Sequence, residues 1–311
     1  MSVAPRPAER GRAFCADVSS GSAEPLGATA SRVDHWILVE YRGLWDRDVL
    51  GGSLLSPELK AHLREQLDRL GHARLLFVKQ PDRRAYGRRQ LFFGSSLPGG
   101  ERFFGLEFDH HDDLVGLDFA AALAGADTPG VPVEHPLFVV CTHGKRDRCC
   151  AKHGRPLYDA LRRRAEAGWV WQSTHVGGDR FAGNVVVLPH GLYFGRVVPE
   201  DAGRLVDELQ DGRLLLDRYR GRSTFSFPVQ SAEEVVRLEE GLAGIDDLAY
   251  LDGEHLGRGS WRVRLRAPSG VVHEIDVREE RAEAPVYLTC GAVTPQQARR
   301  FVATGRRLVR P

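Results

Sequence analysis

Two neighbouring stretches decide the fold of this chain: HPLFVVCTHGKRDRCCAKHGRPLYDAL at residues 135–161 and WVWQSTHVGGDRFAGNVVVLPHGLYFG at residues 169–195. Each begins with a short apolar run, which predicts a buried strand. The first predicted strand ends at Cys141, and the second leads into the loop that carries His175. Two strand ends that each present a soft or borderline ligand to a loop predict a metal or redox site.

The segments around these loops predict a thioredoxin-like sheet. Arg155-Pro156 indicates the start of a helix that stops at Gly168, because proline suits the first helical turn. The segments 184–188 and 192–197 predict a hairpin, and residues 199–200 predict the start of another helix. The resulting order is β-α-β-β-α, which is typical of a mixed α/β sheet.

The flanking sequence predicts more structure of the same class. Before the central unit, strands at 36–41 and 73–79 enclose a helix that begins at Ser56, and a hairpin follows at 91–94 and 102–108. After it, the pattern predicts a helix and three strands, the last at 286–289, and then an arginine-rich helix from Thr294-Pro295. The predicted division is a disordered N-terminus (1–13), an N-terminal α/β domain (14–130), a thioredoxin-like domain (135–220) and a β-rich C-terminal α+β extension (221–311).

The composition excludes several classes of function. The 311 residues carry a net charge of +1, which gives no general attraction to nucleic acid or to an anionic membrane. Apolar runs fall short of the roughly 20 residues that span a bilayer, and the N-terminus does not resemble a secretory signal. We therefore expect a cytoplasmic protein, in which the five cysteines are thiols or metal ligands rather than structural disulfides.

The two loops offer enough donors for an iron–sulfur cluster. A 2Fe–2S cluster takes four ligands, and thiolate and imidazole are both suitable donors. The first loop offers Cys141 with Cys149 or Cys150, and the second offers His175 and Asp179. Two glycines, Gly177 and Gly178, lie between the last two candidates and allow the loop to fold tightly against a cluster.

Residues 135–198 resemble the sucrase/ferredoxin-like family, a branch of the thioredoxin-like ferredoxins. The resemblance rests on CTHGKRDRCC at 141–150 and THVGGDRFAGN at 174–184, which are similar to the family pattern CxHxxRDxxC followed by SHxGGHxxAGN. It implies a thioredoxin-like ferredoxin domain whose 2Fe–2S cluster is held by two cysteines and two histidines. In this chain the matching ligands are Cys141, Cys150 and His175.

The second histidine of the family pattern is replaced here by Asp179. A carboxylate is a harder, anionic donor, so it would lower the reduction potential relative to imidazole. We expect a cluster with Asp179 as the fourth ligand. Cys149 or His143 could take that position instead, and a labile or absent cluster is a further alternative.

The resulting interpretation is an electron-transfer protein that works with a redox partner protein. Electron transfer needs no nucleophile or general base, and no paired carboxylates for glycoside hydrolysis are evident, so we expect a carrier rather than a catalyst. The alternatives are a zinc site, a structural protein with a decayed metal site, or a dithiol oxidoreductase that uses Cys149 or Cys150 with Cys141. Cys15 and Cys290 are expected to be ordinary thiols.

Overall fold

The computed structural model describes residues 13–22, 24–81, 87–125 and 128–309. Apart from Ala13, the predicted disordered N-terminus lies outside these residues. The helices are α1 Cys15–Gly21, α2 Pro57–Leu70, α3 Phe119–Leu123, α4 Arg148–Arg162, α5 Ala202–Gln210 and α6 Phe227–Glu240. The strands are β1 His35–Glu40, β2 Ala73–Lys79, β3 Arg89–Ser95, β4 Arg102–Phe108, β5 Val131–Pro132, β6 Leu137–Cys141, β7 Val170–Ser173, β8 Val185–Leu188, β9 Leu192–Phe194, β10 Tyr219–Arg222, β11 Ala249–Gly257, β12 Ser260–Arg266, β13 Val272–Arg281 and β14 Arg299–Val309.

The central unit has the strand arrangement of a thioredoxin-like fold. β6 lies parallel to β7, which follows it through α4, and antiparallel to β8, which pairs in turn with β9. The strand order within this part of the sheet is therefore β9-β8-β6-β7, and α5 follows β9. The expected order of elements and the mixed α/β class are confirmed.

Helix α4 begins earlier than the sequence predicted. It starts at Arg148 rather than Arg155, and Pro156 lies inside it. The reason is the N-cap: the Asp147 carboxylate accepts a hydrogen bond of 2.8 Å from the backbone N–H of Cys149. Both cysteines of the pair at 149–150 consequently lie in the first helical turn rather than in a loop.

The N-terminal half repeats the topology of the central unit. β1 and β2 are parallel and joined through α2, β3 is antiparallel to β1, and β4 is antiparallel to β3. The two halves share one ten-stranded sheet, because β2 pairs with β7 in antiparallel register at Val78–Ser173 and Lys79–Gln172. One apolar core contains Trp36 and Leu38 from the first half together with Cys141 and Cys150. The candidate ligands therefore lie against the join between the halves.

The C-terminal part is a four-stranded antiparallel sheet, β11 to β14, that packs on α6. The predicted helix after Thr294-Pro295 is wrong, since the described residues there form no helix and β14, which pairs with β13 along its length, begins at Arg299. The predicted strand at 286–289 is limited to a single bridge at Val286, and β11 was not predicted. Pairing between distant segments outweighs local helix signals here.

Within the described ranges, every helix is too short or too polar to cross a membrane.

Candidate metal centre

The first two candidate ligands are brought together by a tight turn. Cys141 is the last residue of β6, and Cys150 lies in the first turn of α4. Between them, the carbonyl of His143 accepts hydrogen bonds of 3.1 and 3.2 Å from the N–H groups of Arg146 and Asp147. This tight turn reverses the direction of the chain, so α4 begins directly beside the end of β6.

The second loop is shaped by glycine and braced by a buried arginine. Gly177 and Gly178 have φ values of 104° and 80°, which lie in the left-handed region that favours glycine. Arg220 donates hydrogen bonds to the carbonyl of Gly177 at 3.1 Å and to the Asn184 side chain at 2.8 Å. The Asn184 amide in turn donates to the carbonyl of Gly178 at 2.8 Å. This network fixes the loop that carries His175.

The four predicted ligands converge on one place. One donor atom each of Cys141, Cys150 and His175 lies within 4.8 Å of the other two. An Asp179 carboxylate oxygen lies 3.4 Å from the Cys150 sulfur and 3.1 Å from His175 Nδ1. The cysteines and Asp179 are buried, whereas the His175 side chain is 22% exposed. We call these four residues the first donor group.

The two alternative fourth ligands lie elsewhere. The Cys149 sulfur is 3.5 Å from that of Cys15 and 3.2 Å from that of Cys290. Consecutive helical residues project about 100° apart, which is why Cys149 and Cys150 reach different groups. His143 is buried edge-on to Trp45, and within the described chain neither of its ring nitrogens has a hydrogen-bond partner.

The electrostatics of the first donor group favour a bound cation. A hydrogen bond from Cys150 lowers the pKa of Cys141, and the same interaction raises the pKa of Cys150. Burial raises the pKa of Asp179 to about 6. For His175, burial opposes protonation, but the hydrogen bond with Cys141 raises the pKa overall. A cationic centre would displace these shared protons and allow the donors to ionise together.

The donor set fits a 2Fe–2S cluster. Two thiolates, one imidazole and one carboxylate supply four ligands from two loops that the fold holds in place. The buried His143 ring beside this turn is a candidate hydrogen-bond donor to such a group. The structure thus brings together Cys141, Cys150, His175 and Asp179, the residues that the sequence analysis selected.

Sequence reasoning missed a second group of donors. Cys15, Cys149 and Cys290 lie together with Asp147, and their donor atoms are all within 4.8 Å of one another. The three cysteines come from α1, the first turn of α4 and the segment before β14. No spacing rule connects residues so far apart in the chain. Cys15 and Cys290 were therefore expected to be ordinary thiols, and only the folded chain brings them to Cys149.

Comparison with known proteins gives partial matches to curated relatives. The chain is 38% identical over 95 residues to altered inheritance of mitochondria protein 32 from Meyerozyma guilliermondii, which covers 27% of this chain and 34% of the relative. The protein of the same name from Eremothecium gossypii is 32% identical over 121 residues, or 33% of this chain and 38% of the relative. The match thus spans little more than a third of either relative.

Among solved structures, a thioredoxin-like [2Fe-2S] ferredoxin from Aquifex aeolicus is 19% identical, covers 29% of this chain and 94% of that chain, and has a TM-score of 0.26. That similarity bears on no individual residue of this chain. A match over more of the chain comes from a family model that aligns with residues 26–221, which include both halves of the ten-stranded sheet. On that match, the chain belongs to the sucrase/ferredoxin-like family.

Proposed function

We propose that this chain is an electron carrier whose first donor group holds a 2Fe–2S cluster. The observation that carries the proposal is the convergence of Cys141, Cys150, His175 and Asp179 from two loops. When bound, the cluster supplies one-electron redox chemistry. Two anionic thiolates and a buried carboxylate favour the oxidised, more positive state.

The chain's own residues set the conditions for that chemistry. Cys141 and Cys150 are each 1% exposed, so both ligands are shielded from water. His175 is the partly exposed member, and its imidazole can exchange a proton with solvent as the charge of the site changes. The charged Arg220 holds the glycine loop through the Gly177 carbonyl, and its positive charge offsets part of the negative charge of Asp179.

Asp179 is the fourth ligand in this proposal. It contacts both Cys150 and His175, whereas Cys149 belongs to the other group of thiols. Family members that carry histidine at this position provide a softer, neutral donor. We therefore expect this chain to have a lower reduction potential than its own Asp179→His variant.

The test is anaerobic purification followed by a visible spectrum and by iron and sulfide analysis. We expect about two irons and two sulfides per chain, consistent with one cluster. Asp179→Ala should lose iron or shift the spectrum, and Asp179→His should retain iron with a raised potential. Cys141→Ser and Cys150→Ser should abolish the visible bands. A protein that contains no iron after anaerobic purification would contradict the proposal.

A dithiol oxidoreductase is less well supported by the geometry. Thiol–disulfide exchange requires a partner to reach a sulfur atom, and both Cys141 and Cys150 are almost completely buried. An electron can reach a cluster through the protein without such access. The proposal includes a redox partner protein and a reducing, cytoplasmic location. The exposed arginines at 155 and 162 on α4, and at 163 and 164 directly after it, offer a cationic surface for that partner.

A further inference from the structure

We propose that Cys15, Cys149 and Cys290 bind a structural zinc ion, with the Asp147 carboxylate as the fourth ligand. The three sulfur atoms form a closed triangle with sides of 3.5, 3.2 and 3.6 Å. We call these three cysteines and Asp147 the second donor group. It is separate from the first donor group, although the adjacent residues Cys149 and Cys150 contribute to different groups.

The triangle has the dimensions of a metal site. Zinc binds thiolate sulfur at about 2.3 Å in a tetrahedron, which places the sulfur atoms about 3.8 Å apart. The observed separations are slightly below that value and well above the roughly 2.05 Å of a disulfide bond. Three mutually adjacent thiols also leave one unpaired in any disulfide arrangement, whereas one metal ion uses all three.

Asp147 positions the thiols as well as adding a donor. One carboxylate oxygen accepts a hydrogen bond of 2.8 Å from the N–H of Cys149, and the other accepts one of 2.6 Å from the N–H of Cys290. The carboxylate is buried and lies within the group. Each carboxylate oxygen has a second lone pair, so coordination does not require these hydrogen bonds to break.

The surroundings suit a closed structural site. Cys15 and Cys149 are buried with Ala16 and Ala182, and the backbone N–H of Ala16 lies 3.4 Å from the Cys149 sulfur as a hydrogen-bond donor. The side chain of Lys152 lies 3.9 Å from the centre of the Phe14 ring next to Cys15, and its ammonium pairs with Asp17 at 2.7 Å. The first turn of α4 adds its favourable dipole.

The donor types select zinc among the common metals. Thiolates favour Zn²⁺, Cu⁺ and iron–sulfur clusters, but a carboxylate oxygen is a poor ligand for Cu⁺. The sulfur separations match the edges of a tetrahedron around a single ion, which favours zinc over a cluster. Binding exchanges thiol protons for the metal and involves no change of oxidation state. The ion would fasten α1 and the segment before β14 to the first turn of α4. By fixing this turn, the zinc ion would also hold Cys150 in place as a cluster ligand. That second role rests on the proposed function, whereas zinc binding itself does not.

The test uses metal analysis of the full-length protein, produced with iron and zinc available and purified anaerobically under reducing conditions. We expect about one zinc per chain in addition to any iron. Cys290→Ser is the first variant because Cys290 is the least buried of the three cysteines, and it should lose zinc. Cys141→Ser is the matched control, and it should lose iron but retain zinc.

Cobalt substitution gives a spectroscopic readout of the site, first in the wild-type protein and then in the variants. Wild-type protein stripped of zinc and titrated with Co²⁺ should develop the intense visible bands of tetrahedral thiolate coordination. The bands should be absent from Cys15→Ser and Cys290→Ser but present in Cys141→Ser. Asp147→Asn keeps the helix cap and should weaken cobalt binding without abolishing it.

Four outcomes would overturn the zinc proposal. The first two are wild-type protein without zinc and zinc that is retained in both Cys15→Ser and Cys290→Ser. The third is a native mass lower by two hydrogens, which would reveal a disulfide among these thiols. The fourth is iron that is lost in Cys290→Ser but retained in Cys141→Ser. The last outcome would also move the cluster to the second donor group. Protein that holds zinc but no iron would refute the proposed function and leave this proposal standing.

Discussion

Arg220 is the residue on which the glycine loop of the first donor group depends most. Its buried guanidinium donates to the Gly177 carbonyl, to Asn184, and to both the hydroxyl and the carbonyl of Thr29. Burial lowers its pKa to about 9, which still leaves it charged at neutral pH. The planar guanidinium makes several directed hydrogen bonds at once, and a lysine ammonium cannot reproduce that geometry.

We therefore expect Arg220→Lys to lower the free energy of unfolding by about 2–4 kcal/mol, since it leaves buried acceptors unsatisfied. Iron retention should fall with it, because the loop that carries His175 and Asp179 loses its brace. Urea denaturation and iron analysis measure the two effects. Arg213→Lys, at an exposed arginine that pairs with Glu208, is the control and should change stability by less than about 0.5 kcal/mol. If Arg220→Lys and Arg213→Lys changed stability and iron content equally, Arg220 would not be the residue that braces the glycine loop.

Helix α4 connects the two donor groups through its first turn and packs unusually closely on β6. A side chain at Gly154 would place its Cβ only 2.0 Å from the carbonyl oxygen of Cys141. That oxygen belongs to backbone and cannot swing aside as a flexible side chain would. The absence of a side chain at this helical position therefore sets the distance between the turn with Cys150 and the strand with Cys141.

Gly154→Ala should consequently destabilise the protein, although alanine favours helix over glycine by about 1 kcal/mol. We expect a net loss of about 1–3 kcal/mol in thermal or urea unfolding, because the helix must move away from β6. Iron content should fall as the two cysteines separate. The matched control is Gly203→Ala in α5, where the closest contact is the mobile end of Arg164. A Gly154→Ala protein as stable as Gly203→Ala, with full iron content, would show that the close contact is unimportant.

Across the whole molecule, the two halves of the ten-stranded sheet share a topology but differ in chemistry. Cys141 ends β6 in the central unit, and the residue that ends the corresponding strand β1 is Glu40. Glu40 is fully buried and pairs with Arg42 at 2.8 Å. The N-terminal half thus has a partly buried ion pair where the central unit has a metal-ligand candidate. The same topology therefore carries different chemistry at its strand ends.

Stability of the whole chain should also depend on pH through buried histidines. Burial lowers the pKa of residues in three parts of the molecule, namely His35, His111, His153 and His273. An unfolded histidine takes up a proton near pH 6.5, whereas these folded ones stay neutral to lower pH. The unfolded state then binds more protons, so each contributes a loss of stability as pH falls below about 6.5.

The variant His111→Gln isolates one such contribution, because the glutamine amide can keep the hydrogen bond to the Glu40 carbonyl that lies 3.0 Å from His111 Nε2. When the pH is lowered from 7.5 to 5.5, we expect wild type to lose more stability than the variant. The urea midpoints of both proteins at both pH values measure this difference. A difference between the two proteins that is the same at both pH values would contradict this expectation.

Local patterns were enough to predict the central unit and the first donor group. The apolar runs that end at Cys141 and lead to His175, and the glycines before Asp179, lie within one short span of sequence. The strands, the turn and the spacing of the ligands there depend on residues that are close in the sequence, so local sequence patterns are enough to predict them. The prediction for α4 was late by about two turns because the cap at Asp147 was not recognised.

By itself, the sequence determined the fold class, the order of elements in the central unit and the four residues that converge in the first donor group. Only the tertiary structure decided that β2 joins the halves into one sheet, that the segment after Thr294 extends as β14, and that Cys149 meets Cys15 and Cys290. The physical reason is distance along the chain. Cys149 lies 134 and 141 residues from its two sulfur neighbours, and such contacts follow from how whole elements pack rather than from any local pattern.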